Sequence, residues 1–164
     1  MDLSLLKKEI DIISSKKEQL KLLIDKFNKI ILIGNGGSNS ISSHIAIDYT
    51  KFLNKQAFSF SDAPRLIAYI NDYGRDKAYK QFIQEFADPN TLIILISSSG
   101  NSMNIINVAK YCEENLLTYA ALSGFKKDNK LNNMNANFKY WVNTESYGVV
   151  ELAHEILLHS IIKN

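Results

Sequence analysis

The apolar residues Leu3, Leu6, Ile10, Ile13, Leu20, Ile24 and Phe27 recur in alternating steps of three and four, with Lys17 at the one position that breaks the run. That period belongs to an amphipathic helix, and about 25 residues at ~1.5 Å each extend nearly 40 Å. A stripe that long outreaches one face of a small domain. Residues 1–27 are therefore expected to form a helix whose apolar side partly meets a second subunit. Beyond it the pattern changes to short apolar runs: Lys29 to Ile33, Ala57 to Phe60, Thr91 to Ile96, Thr118 to Leu122 and Phe138 to Val142. These predict five strands. The segments at about 40–53, 64–87, 102–115 and 126–134 have helix length and composition, and Ser146 to Ile162 closes the chain as a further helix. Pro64 and Pro89 fall where elements start or stop, as a residue without a backbone N–H should. Strands alternating with helices imply βαβ units. The expected fold class is α/β: a three-layer α/β/α sandwich around a five-stranded, mainly parallel sheet.

Composition narrows the setting. A chain of 164 residues supports one well-buried core, so a single domain spanning 1–164 is expected. Nineteen basic against seventeen acidic side chains leave a net charge of +2, without the one-sided basic surface of a nucleic-acid binder. No run approaches the roughly 20 apolar residues of a membrane span. The start of the chain, with Asp2, Lys7, Lys8, Glu9 and Asp11, does not read as a secretory leader. With Cys112 as the single cysteine no intrachain disulfide can form, and a cytoplasmic protein is expected. Cys112 itself reads as a small buried hydrophobe on a helix.

Candidate chemistry sits at two strand-to-helix turns. The first strand ends in Gly34-Asn35-Gly36-Gly37-Ser38 and the third in Ser97-Ser98-Ser99-Gly100-Asn101-Ser102. Backbone N–H groups at helix N-termini, with the positive end of the helix dipole behind them, favour anions at such turns. Glycine lets an anion approach the backbone, and hydroxyls rotate to meet a phosphate. Asn39 stands where a dinucleotide-binding G-x-G-x-x-G needs its third glycine, and no Gly-Lys-Ser/Thr follows either turn, so dinucleotides and nucleoside triphosphates are disfavoured. Serines also cap helices. Four of them and an Asn within six residues exceed what capping needs. His44 and Asp48 are four apart on the helix after the first turn and share a face; they can hold a metal or substrate together, or simply bond to one another.

The Gly34–Ser38 turn with His44 and an acid four residues on, Asn71-Asp72-Tyr73-Gly74, the serine turn, Leu122-Ser123-Gly124, and a C-terminal helix with two histidines together resemble the sugar isomerase (SIS) domain family, most closely its phosphoheptose isomerase branch. The resemblance implies a homo-oligomer, a tetramer or a dimer, that interconverts sedoheptulose 7-phosphate and D-glycero-D-manno-heptose 7-phosphate or a close analogue for surface polysaccharide precursors. It implies that Ser97, Ser98, Ser99 and Ser102, with Gly100 and Asn101, hold the phosphate. Asn35, Gly36, Gly37 and Ser38 would hold sugar hydroxyls, and Asp72 would complete the sugar pocket. Asp48 and His159 take the acid–base roles, and His44, Asp48, Glu151 and His159 are implied ligands of a divalent metal such as zinc. Asp48 stands where similar enzymes carry Glu, and Glu151 where they carry Gln, so Glu151 can serve metal or substrate. An Arg and an Asp of the similar enzymes are replaced around Lys51-Phe52 and at Gly148, both on the substrate side. The other function class to weigh is a noncatalytic SIS module that senses a sugar phosphate or binds a protein partner such as a replication initiator; four ionisable groups around one cleft weigh against it.

Four further features are assigned no role in chemistry. His154 reads equally as a polar interface residue or a participant, Tyr140 and Trp141 as core or interface, Arg65 as a solvated first-turn cation, and Lys126-Lys127 as a loop charge cluster.

Overall fold

The computed structural model describes residues 3–162; the first two and last two positions of the expected 1–164 unit lie outside them. Its sheet is built from β1 (Lys29–Gly34), β2 (Gln56–Ser59), β3 (Thr91–Ser97), β4 (Tyr119–Gly124) and β5 (Phe138–Val142). The order is β2-β1-β3-β4-β5, and every pairing is parallel. Six helices accompany it: α1 (Leu3–Asp25), α2 (Gly37–Leu53), α3 (Ala63–Tyr73), α4 (Arg75–Phe86), α5 (Met103–Glu114) and α6 (Tyr147–His159). This is the doubly wound α/β architecture that the alternation of elements predicts.

Side-chain alternation divides the core in two. Ile30, Leu32, Leu92, Ile94, Ile96 and Leu122 face one way, against Ile24 of α1, Ile45 and Tyr49 of α2 and Leu157 of α6. Ile31, Ile33, Ile93, Leu95 and Ala121 face the other, against Phe82 of α4 and Ile105 and Val108 of α5. Because both faces are covered, the central strand reads Thr-Leu-Ile-Ile-Leu-Ile-Ser and is buried throughout.

The chain reverses direction across the sheet between β1 and β3, where the crossovers leave to opposite sides. At such a switch point the turns after the two strands splay apart and open a crevice at their carboxyl ends. Gly34 is paired with Ile96, so the glycine turn and the serine turn flank the same crevice.

Three expectations need correction. The segment 64–87 is two helices, because Gly74 (φ 76°, ψ 155°) ends α3 and starts α4 in a conformation no helix contains. The segment 126–134 is a series of turns rather than a helix. Its asparagines bond locally instead: Asn129 Nδ2 donates to the Lys126 and Gly124 carbonyls, Asn132 Nδ2 to Lys127 O and Asn133 Nδ2 to Asp128 O. Such bonds compete with the helical ladder. The stripe on α1 is also rotated from its expected setting. Ile13, Leu20 and Ile24 are buried, yet Leu3 and Ile10 are exposed while Glu9 is buried. Glu9 is drawn inward because its carboxylate accepts from the buried Tyr140 hydroxyl at 2.7 Å. Burial, and with it that contact, pushes the Tyr140 phenol far above its ordinary value.

Candidate functional site

The serine turn is organised before any ligand arrives. Gly100 has φ +63° and lies so close to Asn129 that an added Cβ would meet its Oδ1 at 1.9 Å, so only glycine fits the bend. The Gly100 N–H donates to Ser97 O at 2.9 Å. Asn129, buried beneath, donates to Gly124 O, and nearby the Leu131 N–H donates to Gly100 O at 2.9 Å, which ties the turn after β3 to the turns after β4. Sequence reasoning passed over Asn129, whose only signal is its place in an asparagine-rich turn.

Asn35, Ser38, Ser97, Ser98, Ser99 and Ser102 line one small pocket of about 130 Å³, closed by Tyr147 and Glu151 of α6. The Ser98 hydroxyl is buried without a hydrogen-bond partner among the described residues. A buried donor of that kind is costly unless a ligand or water meets it. Asn35 is held by a reciprocal amide pair with Asn104 of α5, at 3.0 and 2.8 Å. Asn104, which sequence reasoning missed, is buried and gives Asn35 a fixed orientation. The first turns of α2 and α5 open towards the same crevice, and helix N-termini favour anions.

Gly36, in a left-handed conformation (φ 54°), caps α2, and Gly37 opens onto a second cleft. That cleft, about 500 Å³, is lined by Gly37, Ser40, Ile41, His44, Gly148, Glu151, Leu152 and Glu155. Glu151 therefore lies between the two cavities, its carboxylate against Gly37. Burial pushes that carboxyl above its ordinary value. Two expected contributors lie elsewhere. Asp72 is exposed on α3 and lines neither cavity. Asn101 is exposed too; its side chain braces the turn, donating to Ser99 O and accepting from the Lys130 N–H.

Where α2 crosses α6, His159 Nε2 stands 3.0 Å from Asp48 Oδ2 and His44 Nε2 stands 3.5 Å from the same oxygen. Donor atoms of His44, Asp48 and His159 all lie within 4.8 Å of one another. Glu151 is outside this group, two helical turns away on α6. The crossing itself is pinned by the residues next door, since the buried Tyr49 hydroxyl donates to Leu158 O at 3.0 Å. The other ring nitrogens have acceptors as well: His44 Nδ1 is 3.0 Å from Glu155 Oε1, and His159 Nδ1 is 3.1 Å from Glu155 O. Each imidazole thus meets oxygen acceptors on both sides. The contacts to Asp48 call for positive charge between them, either a second ring proton or a cation. The donor set fits a divalent ion.

His154, by contrast, is buried and intramolecular: it bonds to Ser123 O and belongs to neither an exposed interface nor the cleft. Trp141 donates from Nε1 to Phe125 O at 3.1 Å, and Arg65 lies exposed over the Phe86 ring. Lys126 and Lys127 are exposed in the turn after β4. The Cys112 thiol is buried and pushed up to about 12, which makes it inert.

The doubly wound α/β fold thus brings a serine-lined pocket at its switch point close to a His/Asp cluster at a helix crossing. The chain belongs to the SIS domain family, whose model matches residues 4–124. It is 28% identical to a phosphoheptose isomerase of Fusobacterium nucleatum over 99% of this chain and 88% of that one. A phosphoheptose isomerase of Buchnera aphidicola is 32% identical over 59% of this chain, a match spanning about half of the relative (53%). Among solved structures, the phosphoheptose isomerase GmhA from Neisseria gonorrhoeae superposes with a TM-score of 0.86 at 23% identity, covering 97% of this chain and 89% of that one. The Vibrio vulnificus NanR protein complexed with ManNAc-6P shares the fold at a TM-score of 0.64 and 15% identity, over 88% of this chain and 53% of that one. Among the described residues no helix is long and apolar enough to cross a membrane.

Proposed function

We propose that this protein is a sugar-phosphate isomerase, acting on sedoheptulose 7-phosphate or a close ketose phosphate to supply precursors of surface polysaccharides. The observation that carries the reading is the adjacency of an anion pocket to an ionisable pair, bridged by one residue: Glu151 lines both cavities, and Asp48 and His159 meet beyond it. Glu151 and His159 are eight residues apart on α6, about 12 Å along a helix, which is room for a sugar between its phosphate and its reacting carbons.

Aldose–ketose isomerisation moves one proton between neighbouring carbons and one between their oxygens. The hydroxyls of Ser97, Ser98, Ser99 and Ser102 anchor the phosphate, and Asn35, fixed by Asn104, accepts or donates to a sugar hydroxyl. Anchoring the far end turns a bimolecular encounter into an oriented one. The Asp48 carboxylate takes the proton from the carbon beside the carbonyl, and His159, bonded to it, moves protons at the oxygens. His44, Asp48 and His159 are the residues that would hold a divalent metal such as zinc, which supplies polarisation of the substrate oxygens when bound. Glu151, outside that group, contacts substrate. We place the enzyme in a homo-oligomer, a setting supported by the exposed Leu3 and Ile10 on α1.

The test is incubation of the purified protein with sedoheptulose 7-phosphate, with and without a chelator, followed by product analysis. Turnover is expected, reduced by chelation, and lost by at least about a hundredfold in Asp48→Asn and His159→Ala while phosphate-ligand binding persists. Saturable sugar-phosphate binding without turnover would replace the isomerase with a sensor, and full activity in either variant would remove the acid–base roles.

A further inference from the structure

We propose that Glu155 is the positioning residue of this site, the single group that turns both imidazoles so that each Nε2 faces Asp48. The inference rests on the reading of His44, Asp48 and His159 as the reactive, cation-holding group. Glu155 lies on α6 midway between Glu151 and His159, four residues from each, so the three share one helix face.

Two different parts of the residue act. Its main-chain oxygen is 3.1 Å from His159 Nδ1. A carbonyl oxygen only accepts, so His159 donates from Nδ1 and the ring is turned with Nε2 towards Asp48. Its carboxylate Oε1 is 3.0 Å from His44 Nδ1. A carboxylate oxygen accepts from Nδ1 as well, so the His44 ring is turned the same way. Both Nε2 atoms then converge on Asp48 Oδ2, at 3.0 Å from His159 and 3.5 Å from His44. A carboxylate behind an imidazole is the arrangement that orients histidines towards metal ions and raises their basicity.

The two halves differ in what they demand of the sequence. The carbonyl serves His159 whatever side chain stands at 155. The hold on His44 needs an acceptor of this length. It also matters more there, because the His44 side chain is 55% exposed against 33% for His159 and has less packing to fix its ring. Among the described residues the carboxylates paired with His44 are Glu155 and Asp48, and Glu151 is not one of them.

The tautomers can be read without a metal. Long-range ¹H–¹⁵N correlation spectra of histidine-labelled, metal-free protein at pH 8 are expected to show His44 protonated at Nδ1. In Glu155→Ala, His44 is expected to shift towards Nε2–H while His159 stays unchanged. Glu155→Gln, whose amide oxygen still accepts, is expected to keep the wild-type pattern. Zinc affinity, measured by competition with a chromophoric chelator, should fall about 10- to 100-fold in Glu155→Ala and recover most of that loss in Glu155→Gln. An Nε2–H His44 in the wild type, or a His44 tautomer indifferent to Glu155→Ala, overturns the proposal. A wild-type protein that binds no zinc overturns the cation reading instead, and the tautomer comparison still decides the role of Glu155.

Discussion

Lowering the pH from 7.5 to 5 is expected to destabilise this protein through His154. The ring is fully buried, edge-on to Tyr140 with centroids 5.9 Å apart, and its Nε2 bonds to the Ser123 carbonyl at 3.1 Å. That acceptor places the proton of the neutral ring on Nε2. Nδ1 is left buried without a partner among the described residues. A second proton would put an unpaired charge in the core, and burial accordingly pushes the ring from 6.5 down to about 4. The unfolded chain therefore binds the extra proton through a window in which the native state refuses it. Stability is full above about 6.5 and declines as pH falls towards about 4. At ~1.4 kcal/mol per pH unit, the loss is about 2 kcal/mol by pH 5 and about 3 kcal/mol over the whole window. Urea unfolding at pH 7.5 and 5.0 measures it. His154→Gln, which can still donate to Ser123 O but does not titrate, is the comparison that subtracts every other titrating group. If the wild type loses no more stability than His154→Gln over this interval, the account of a neutral ring buried under β4 is refuted. The effect reaches the site, because Ser123 pairs with Ser97 across β3 and β4 and Ser97 lines the serine pocket.

Two substitutions test how the fold carries the site. Tyr49→Phe removes the hydroxyl that bonds to Leu158 O and leaves a buried carbonyl at the end of α6; the expected cost is about 1–2 kcal/mol in thermal unfolding, with a fall in kcat because Asp48 and His159 are the adjoining residues. Wild-type stability would show that the α2–α6 crossing does not depend on that bond. Gly100→Ala forces a side chain into a left-handed backbone, at about 1–2 kcal/mol, and pushes a Cβ onto Asn129; a lowered urea midpoint and weakened inorganic-phosphate binding are expected, and an unchanged midpoint would sink the claim that the serine turn is held from beneath.

The sheet was legible because its strands are buried on both faces and so appear as unbroken apolar runs. Where burial thins, the reading drifts. The edge strand β2 is Gln56–Ser59 rather than Ala57–Phe60, since one neighbour and partial cover leave a weaker pattern. The failures have local causes of other kinds. Periodicity in α1 could not reveal that Glu9 would be buried, because the reason lies 131 residues away in the Tyr140 hydroxyl. Residues 126–134 have a composition a helix accepts, but asparagines that find nearby carbonyls need no helix. Gly74 was visible as part of Asn71-Asp72-Tyr73-Gly74, and its conformational freedom was a sign that the segment 64–87 could bend there.

The site was legible as a set of faces and illegible as a set of contacts. Spacing of four puts His44 with Asp48, and Glu151, Glu155 and His159 in one row, which is all that helical geometry can state from sequence. Which acid of that row reaches His44 depends on how α6 crosses α2. That crossing is set by core packing and by the Tyr49–Leu158 bond, neither of which a residue pattern contains. A crossing about one helical turn earlier on α6, a shift of ~5.4 Å, would present Glu151 to His44 and leave Glu155 beyond the cluster. In the observed crossing Glu155 stands behind the histidine pair and Glu151 lines the serine pocket. The sequence reading used Glu151 and His159 of that row and passed over Glu155, whose part only tertiary packing shows. The same holds for Asn104: an asparagine in the first turn of α5 reads as an ordinary helix-start residue until β1 and β3 are placed side by side and Asn35 is brought to its amide.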